Sequence, residues 1–361
     1  MSEPFEIAGS TSAEFEAEAP RRLSHGAGIA RQVYKDALRR GRFDPSAYGL
    51  RPSAAAAWQE QFRLSLPRVV RVASEESETG TTAKAVLALH DGLECECVLL
   101  PMGRGRSTLC VSSQIGCKMG CRFCETARMG LMRHMRTSEI VAQLLVARHV
   151  LGWEFRNVVF MGMGEALDNA DNVLPALRVL ADPVGLSMSQ ERITVCTVGN
   201  LQGIARLQEL GWKRLNLSIS LNAGNDALRG ALMPINRKAP LAELQRVLLG
   251  FRPRANFVLG VNYCLLPGHN DTPEHAREVA DFCLPLGRVM VNVIPYNPGS
   301  VPLTRAPSEA EIDGFIAQLR DHGLPVRRRI TKGRTVMAAC GQLGNVELRA
   351  LRRSKDSTAA T

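Results

Sequence analysis

Apolar positions recur at helical spacing between residues 29 and 66, with Val33, Tyr34 and Leu38 on one stripe and Trp58, Phe62 and Leu66 on a second. Phe43-Asp44-Pro45-Ser46 and Arg51-Pro52 interrupt that pattern as helix breaks do. A small helical module is therefore expected over residues 21–75. Ahead of it, residues 1–20 are acidic and rich in small side chains (Glu3, Glu6, Glu14, Glu16, Glu18), which predicts a disordered tail. Beyond the module the period changes. Strands are predicted at Lys84–Leu89, Cys95–Leu100, Asn157–Met161, Arg192–Thr197, Arg214–Ser220, Asn256–Leu265, Arg288–Ile294 and Pro325–Thr331, with helices in the gaps. Several helix starts are marked. Thr137 and Ser138 offer caps, Thr272-Pro273 puts proline at the first helical position, and Ser308 with Glu311 forms a capping box. Repeated strand–helix units give an α/β fold with a parallel sheet, open or closed as a partial (β/α) barrel. In such folds chemistry gathers at the C-terminal strand ends.

Composition narrows the class. The 361 residues, 45% hydrophobic and 22% charged, suit one large domain with an appendage. Collagen, wholesale disorder and a small disulfide scaffold are excluded. Apolar runs such as Ala54–Trp58 and Leu144–Ala147 fall far short of the ~18 residues of a membrane span. The opening MSEPFEIAGS has neither the basic nor the apolar region of a signal peptide. A cytoplasmic protein with no membrane partner is expected. In that compartment ten cysteines call first for metal or redox chemistry. Lys plus Arg total 45 against 35 Asp plus Glu, a net charge of +10 that attracts polyanions such as RNA.

The densest signal is Cys117-Lys-Met-Gly-Cys121-Arg-Phe-Cys124. Three thiolates on one short loop can hold three irons of a [4Fe–4S] cluster and leave the fourth open to a small molecule. Gly116 and Gly120 allow the tight backbone such a wrap needs. Zinc is the competing occupant. It requires a fourth ligand, from Cys110, His134 or a remote residue, and usually comes with paired knuckles. Phe123 would shield the cluster from solvent or simply join the core. Arg327-Arg328-Arg329, Lys332 and Arg334 form a basic stretch that suits phosphate contacts, although strand alternation would divide the arginines between faces.

C-x3-C-x2-C with an aromatic before the third cysteine resembles the signature of radical S-adenosylmethionine enzymes. The flanks sharpen the likeness. Leu109-Cys110-Val-Ser-Ser-Gln114, Met161-Gly-Met-Gly-Glu165, Met233-Pro-Ile-Asn236 and Ala338-Ala-Cys340-Gly-Gln-Leu343 resemble the RlmN/Cfr family of radical RNA adenine methyltransferases. The resemblance implies a radical SAM core over residues 83–345, a partial barrel with the helical module as accessory RNA-binding domain, and a basic tail over 346–361.

It further implies two cofactors, a [4Fe–4S] cluster on Cys117, Cys121 and Cys124, and S-adenosylmethionine. Contacts to the latter would come from Gly164, Glu165, Cys196, Ser220, Leu221, Asn222 and Asn297. The family commonly has Ser at the Cys196 position and His at the Asn222 position, so the chain departs at both. Cys340 would carry the methyl group and Cys110 would resolve the protein–RNA adduct. Glu96, five residues before Pro101, would be the general base. The implied substrate is an adenine of 23S rRNA, with transfer RNA as an alternative, modified at C2 or C8. Glu165-Ala166-Leu167 looks like Cfr, the C8-type member, since C2-type members usually have Pro after that Glu. A flavodoxin or ferredoxin would supply electrons to a monomeric enzyme. Cys95, Cys97, Cys264 and Cys283 are expected to be ordinary buried thiols.

Overall fold

The computed structural model describes residues 3–345; the basic tail expected at 346–361 lies outside them. Ten strands form one sheet: β1 (Arg68–Glu75), β2 (Thr82–Ala88), β3 (Glu94–Pro101), β4 (Ser107–Cys110), β5 (Asn157–Phe160), β6 (Ile193–Thr197), β7 (Asn216–Ser220), β8 (Leu259–Leu265), β9 (Val289–Pro295) and β10 (Val326–Arg328). Their order across the sheet is their order along the chain; between β4 and β5 the short strands Gln114–Ile115 and Arg133–His134 pair with each other apart from it. β1 to β4 pair antiparallel, and every pair from β4 to β10 is parallel. The expected α/β core is thus present, with an antiparallel extension on one side.

Between the parallel strands run α4 (Glu125–Met129), α5 (Thr137–Leu145), α6 (Ala170–Ala181), α7 (Leu201–Glu209), α8 (Asp226–Leu232), α9 (Leu241–Gly250), α10 (Pro273–Cys283) and α11 (Glu309–Asp321). Thr272 caps α10 with Pro273 inside its first turn, and Ser308 with Glu311 caps α11, as the sequence predicts. The cap expected at Thr137 shifts by one residue. Arg136 holds the N-cap position, its backbone N–H donating to Glu139 at 2.8 Å, and Thr137 is already helical.

Strand alternation sorts the side chains. Val158, Phe160, Ile193, Val195, Leu217, Ile219, Val291 and Val293 enter the apolar core shared with the helices. The other set, including Asn157, Thr194, Ser218, Asn292, Arg327 and Arg329, helps to line a cavity of about 530 Å³ on the inner side of the curved sheet, with polar and apolar walls. Arg328 turns outward to pair with Glu309 of α11. Gly260 lies beside Ser218 in register, and any side chain there would strike the serine hydroxyl.

Among the described residues β1 and β10 have no outer partner strand, and the sheet curves as a partial barrel. Strand β10 stops at Arg328, short of the expected Thr331, because the chain turns away to bridge the opening. Lys332 Nζ donates to the Pro101 carbonyl on β3, and the Gly333 and Thr335 N–H groups donate to Glu75 on β1 at 2.9 and 2.7 Å.

Residues 3–20 correct the expectation of a disordered tail. Thr11 and Glu14 form a capping box that opens α1 (Ser12–Arg22). Phe15 is fully buried against Phe5, Tyr34, Trp58 and Phe62, with ring centroids 5.2–6.2 Å away. The acidic residues form the solvated face of this helix, where Glu18 and Glu16 pair with Arg22 and Arg31. With α2 (Ala30–Arg40) and α3 (Pro52–Gln61) it completes the accessory module. The module's limits also change. Helix α3 ends before Phe62, which starts a two-residue strand beside Phe5–Glu6, and residues 68–75 belong to the large sheet. Asp182 of the core accepts from the Ser12 N–H and hydroxyl at 2.7 and 2.8 Å, and Arg39 donates to the carbonyls of Pro183 to Gly185. These contacts seat the module on the core.

Candidate active site

The predicted residues come together at the C-terminal ends of the parallel strands. Cys117, Cys121 and Cys124 lie on one loop between Gln114–Ile115 and α4. Gly116 and Gly120 have φ of 74° and 73°, which a side chain would strain. At Gly116 a Cβ would also fall on the Gly130 carbonyl oxygen, the acceptor of the Cys117 N–H. Cys124 caps α4, while Cys117, Cys121 and the half-buried Phe123 share an apolar patch with Met233 and Tyr296.

Burial lifts all three thiols, Cys117 to about 12, and Cys117 and Cys121 are raised further by neighbouring thiols of the loop. Such thiols ionise when a cationic metal centre takes them as ligands. Among the described residues no group of three His, Cys, Asp or Glu side chains is arranged to hold a metal ion as the side chains stand. A cluster makes a different demand, one thiolate for each of three irons. The donor set therefore fits the cluster.

Arg229 reinforces that fit, and it escaped the sequence reading. Its side chain is fully buried in α8. The guanidinium donates to the carbonyls of Leu221, Val198 and Ser220 (3.0, 2.6 and 3.3 Å) and to the Asn236 amide oxygen (2.8 Å). It thus ties together the loops after β6 and β7 and the Met233–Asn236 turn. Burial lowers it to about 10, and the neighbouring Cys121 counters that shift. A buried cation beside Cys121 suits an anionic thiolate cluster. Position 229 carried no motif of its own; only its place shortly before Met233-Pro-Ile-Asn236 could have drawn attention.

Glu165 follows β5 and is 3% exposed. Its carboxylate accepts from the Leu167 and Val198 N–H groups at 3.1 and 2.9 Å. Desolvation raises it to about 7 despite these bonds. An ammonium group would reverse that shift, which is the complement an amino acid moiety offers. Gly164 has a φ of 98°, and a Cβ there would come 2.5 Å from Gln114 Cβ.

Cys196 lies on the cavity side of β6 and is lifted to about 12 by burial, with Arg329 pulling the other way. Ser220 ends β7, and Asn297 lines the cavity with its amide 3.5 Å from the Cys340 carbonyl. Leu221 and Asn222 are less open. Leu221 is fully buried. Asn222 has a φ of 60°, accepts from the Cys264 N–H at 2.8 Å and approaches Met233 Sδ at 3.1 Å. Its side chain is thus committed to the protein.

Cys110 at the end of β4 and Cys340 on the loop after the bridging segment line the same cavity. Cys110 is buried among Met129, Met163, Ala338 and Leu343, whereas Cys340 is exposed to the cavity with its sulfur 4.0 Å from Met161 Sδ. Burial raises both thiols. Cys340 adds to the rise at Cys110, and Arg329 pulls Cys340 the other way. All ten cysteines are free. Glu96 is engaged at both oxygens, 3.4 Å from Lys84 Nζ and 3.0 Å from the Gly344 N–H, an arrangement that holds rather than exposes a carboxylate. Cys95, Cys97 and Cys283 are buried and Cys264 is half-buried.

The Radical SAM superfamily matches residues 111–283. A protein of Protochlamydia amoebophila named probable dual-specificity RNA methyltransferase RlmN 1 is 41% identical over 349 residues, covering 96% of each chain. The dual-specificity RNA methyltransferase RlmN of Syntrophotalea carbinolica is 40% identical over 282 residues, 78% of this chain and 74% of its own. The crystal structure of a radical SAM methyltransferase from Sphaerobacter thermophilus superposes with a TM-score of 0.85 at 33% identity, covering 94% of this chain and 99% of that one. Radical SAM enzymes work with a [4Fe–4S] cluster and S-adenosylmethionine, the two groups that the thiol loop and the Gly164–Glu165 edge fit. The chain belongs to the RlmN family of radical S-adenosylmethionine methyltransferases.

Proposed function

We propose that this RNA methyltransferase methylates a ring carbon of adenine, C2 in 23S rRNA and in transfer RNA, through a methyl group carried on Cys340. The observation that carries this reading is the meeting of Cys340 and Cys110 in one cavity at the mouth of the barrel. The relatives named dual-specificity RNA methyltransferase RlmN support more than one RNA substrate, and C2 is preferred to the C8 suggested by Glu165-Ala166-Leu167 because C2-type members of the family the chain resembles can also use transfer RNA.

An adenine C–H carbon is a poor nucleophile, so direct transfer from a sulfonium is closed to it. Cys340 is not so limited. Its thiolate, favoured by Arg329, attacks the methyl carbon of one S-adenosylmethionine, releases S-adenosylhomocysteine and becomes an S-methyl thioether. When bound and reduced, the cluster supplies the electron that cleaves a second S-adenosylmethionine to a hydrogen-abstracting radical. Cys340 then presents an S-methylene radical, which adds to the ring carbon and ties protein to RNA. The adduct radical would give one electron back to the bound cluster and lose its ring proton, after which the Cys110 thiolate attacks the Cys340 sulfur. The C–S bond breaks, the carbon keeps the electron pair as the methylated base forms, and a Cys110–Cys340 disulfide remains for reduction. Arg327 and Arg329 on the cavity wall support phosphate contacts, and the cavity suits a base drawn out of its stack. A cytoplasmic location and a flavodoxin- or ferredoxin-like donor accord with this chemistry.

The test is an anaerobic reaction with S-adenosylmethionine bearing a CD₃ group, followed by nucleoside mass spectrometry of 23S rRNA and transfer RNA. Methyladenosine retaining two of the three methyl deuteriums is expected. Retention of all three would overturn the route. Cys110→Ala should accumulate a covalent protein–RNA adduct, and Cys340→Ala should give neither adduct nor product.

A further inference from the structure

The loop from Met337 to Gly344 carries Cys340, and a buried ion pair holds both of its ends. Lys84 on β2 and Glu96 on β3 are each 5% exposed, with nitrogen and oxygen 3.4 Å apart. Lys84 Nζ donates to the Met337 carbonyl at 3.0 Å, and Glu96 Oε2 accepts from the Gly344 N–H at 3.0 Å. Met337 has a φ of 53°, a left-handed conformation that a residue with a side chain adopts only when its surroundings impose it. Gly344 at φ 127° is likewise in a region suited to glycine.

Within the loop, Gly341 O accepts from the Glu125 N–H at 2.8 Å and Leu343 O from the Thr126 hydroxyl at 2.6 Å. The loop's middle therefore rests on α4, the helix that begins at the third cluster thiol. Lys84 and Glu96 stand on the opposite wall and fix the two ends. Alternation puts Glu96 on the same face of β3 as the cavity-lining Val98, so the seated loop lies between this carboxylate and the cavity.

We propose that Lys84 is a positioning residue of the reaction, which with Glu96 clamps the Met337–Gly344 loop and so sets where the Cys340 sulfur stands. The inference rests on the reading of Cys340 as methyl carrier for its functional meaning but not for its geometry. Glu96, expected from the resemblance to be the general base, is in this seated state a clamp. Two charges buried together are costly unless both are paired, and removing one alone leaves the other stranded. Each here also makes one hydrogen bond to the backbone of the same loop.

The test uses the full-length, cluster-loaded protein with the variant Lys84→Met/Glu96→Gln, which removes both charges together. Hydrogen exchange at residues 337–344 should accelerate at least tenfold, with protection in β5 to β9 unchanged. Conversion of Cys340 to S-methylcysteine, followed by peptide mass spectrometry, should slow at least tenfold. That step precedes any need for a ring-proton base, so loss of base function cannot imitate the result. Loop exchange within twofold of the wild type overturns the clamp. Faster loop exchange in the variant, with no S-methylcysteine in the wild type, upholds the clamp and overturns the carrier reading. Should the double variant fail to fold, Glu96→Gln alone replaces the carboxylate with an amide. At least threefold faster exchange at Gly344 is then expected, and an unchanged rate overturns the proposal.

Discussion

Glu165 shows how much one side chain can record about an absent partner. Its folded value of about 7 stands above the ordinary 4.5 because desolvation outweighs its hydrogen bonds. In the ligand-free protein the folded state therefore holds a proton that the unfolded chain releases above pH 4.5. Stability from this residue is full below that pH and is lost as pH rises through about 7. The total is on the order of 3 kcal/mol. Denaturant titrations of the ligand-free protein should show this fall, and Glu165→Gln should flatten it. S-adenosylmethionine, by placing an ammonium nearby, should restore stability near neutral pH in the wild type and much less in the variant. At Gly116 the constraint is steric. Gly116→Ala combines a strained φ, costing about 1–2 kcal/mol, with a collision against the Gly130 carbonyl. Loss of most bound iron is expected, measured by iron content against folded protein.

Among elements, those with one period and a clean cap were legible from the chain. The β5 to β9 strands and the starts of α10 and α11 lie where alternation and capping boxes place them. The thiol loop was legible because its spacing is its chemistry. Helix α1 was missed because its charged residues dominate a composition window while its buried stripe is carried by few residues, Phe15 chief among them. Strand β1, Arg-Val-Val-Arg-Val-Ala-Ser-Glu, was missed because a bulge between Val69 and Arg71 breaks its alternation. Arg229 and the Lys84–Glu96 pair were illegible for another reason. Their partners are mostly backbone atoms distant in sequence, and no side-chain pattern encodes those. If α1 is the anchor of the accessory module, Phe15→Ala should cost about 3–5 kcal/mol there. Protease susceptibility should then rise in residues 3–63, with iron content of the core retained.

At the scale of the molecule, a sheet with two free edges depends on the segment that spans them. Glu75 on β1 receives N–H groups from Gly333 and Thr335 and the Thr335 hydroxyl, bonds that hold its carboxyl below the ordinary value. Its contribution is present above pH 4.5 and fades as pH falls through the depressed value. Glu75→Ala should speed tryptic cleavage at Arg334 several-fold at neutral pH while leaving the parallel strands protected.

The agreement between strand order and chain order has a consequence for how the enzyme is made. A nascent chain can lay each strand against the one just synthesised, without waiting for a distant partner. The iron-binding loop, after only the fourth strand, leaves the ribosome early. Cys340 follows all ten strands and emerges late. A chain stalled shortly before it would have all ten strands and the three loop thiols, yet not the sulfur proposed to receive the methyl group. On the proposed chemistry, synthesis itself separates the thiols that would hold the cluster from the sulfur that would carry the methyl group, which emerges only after all ten strands.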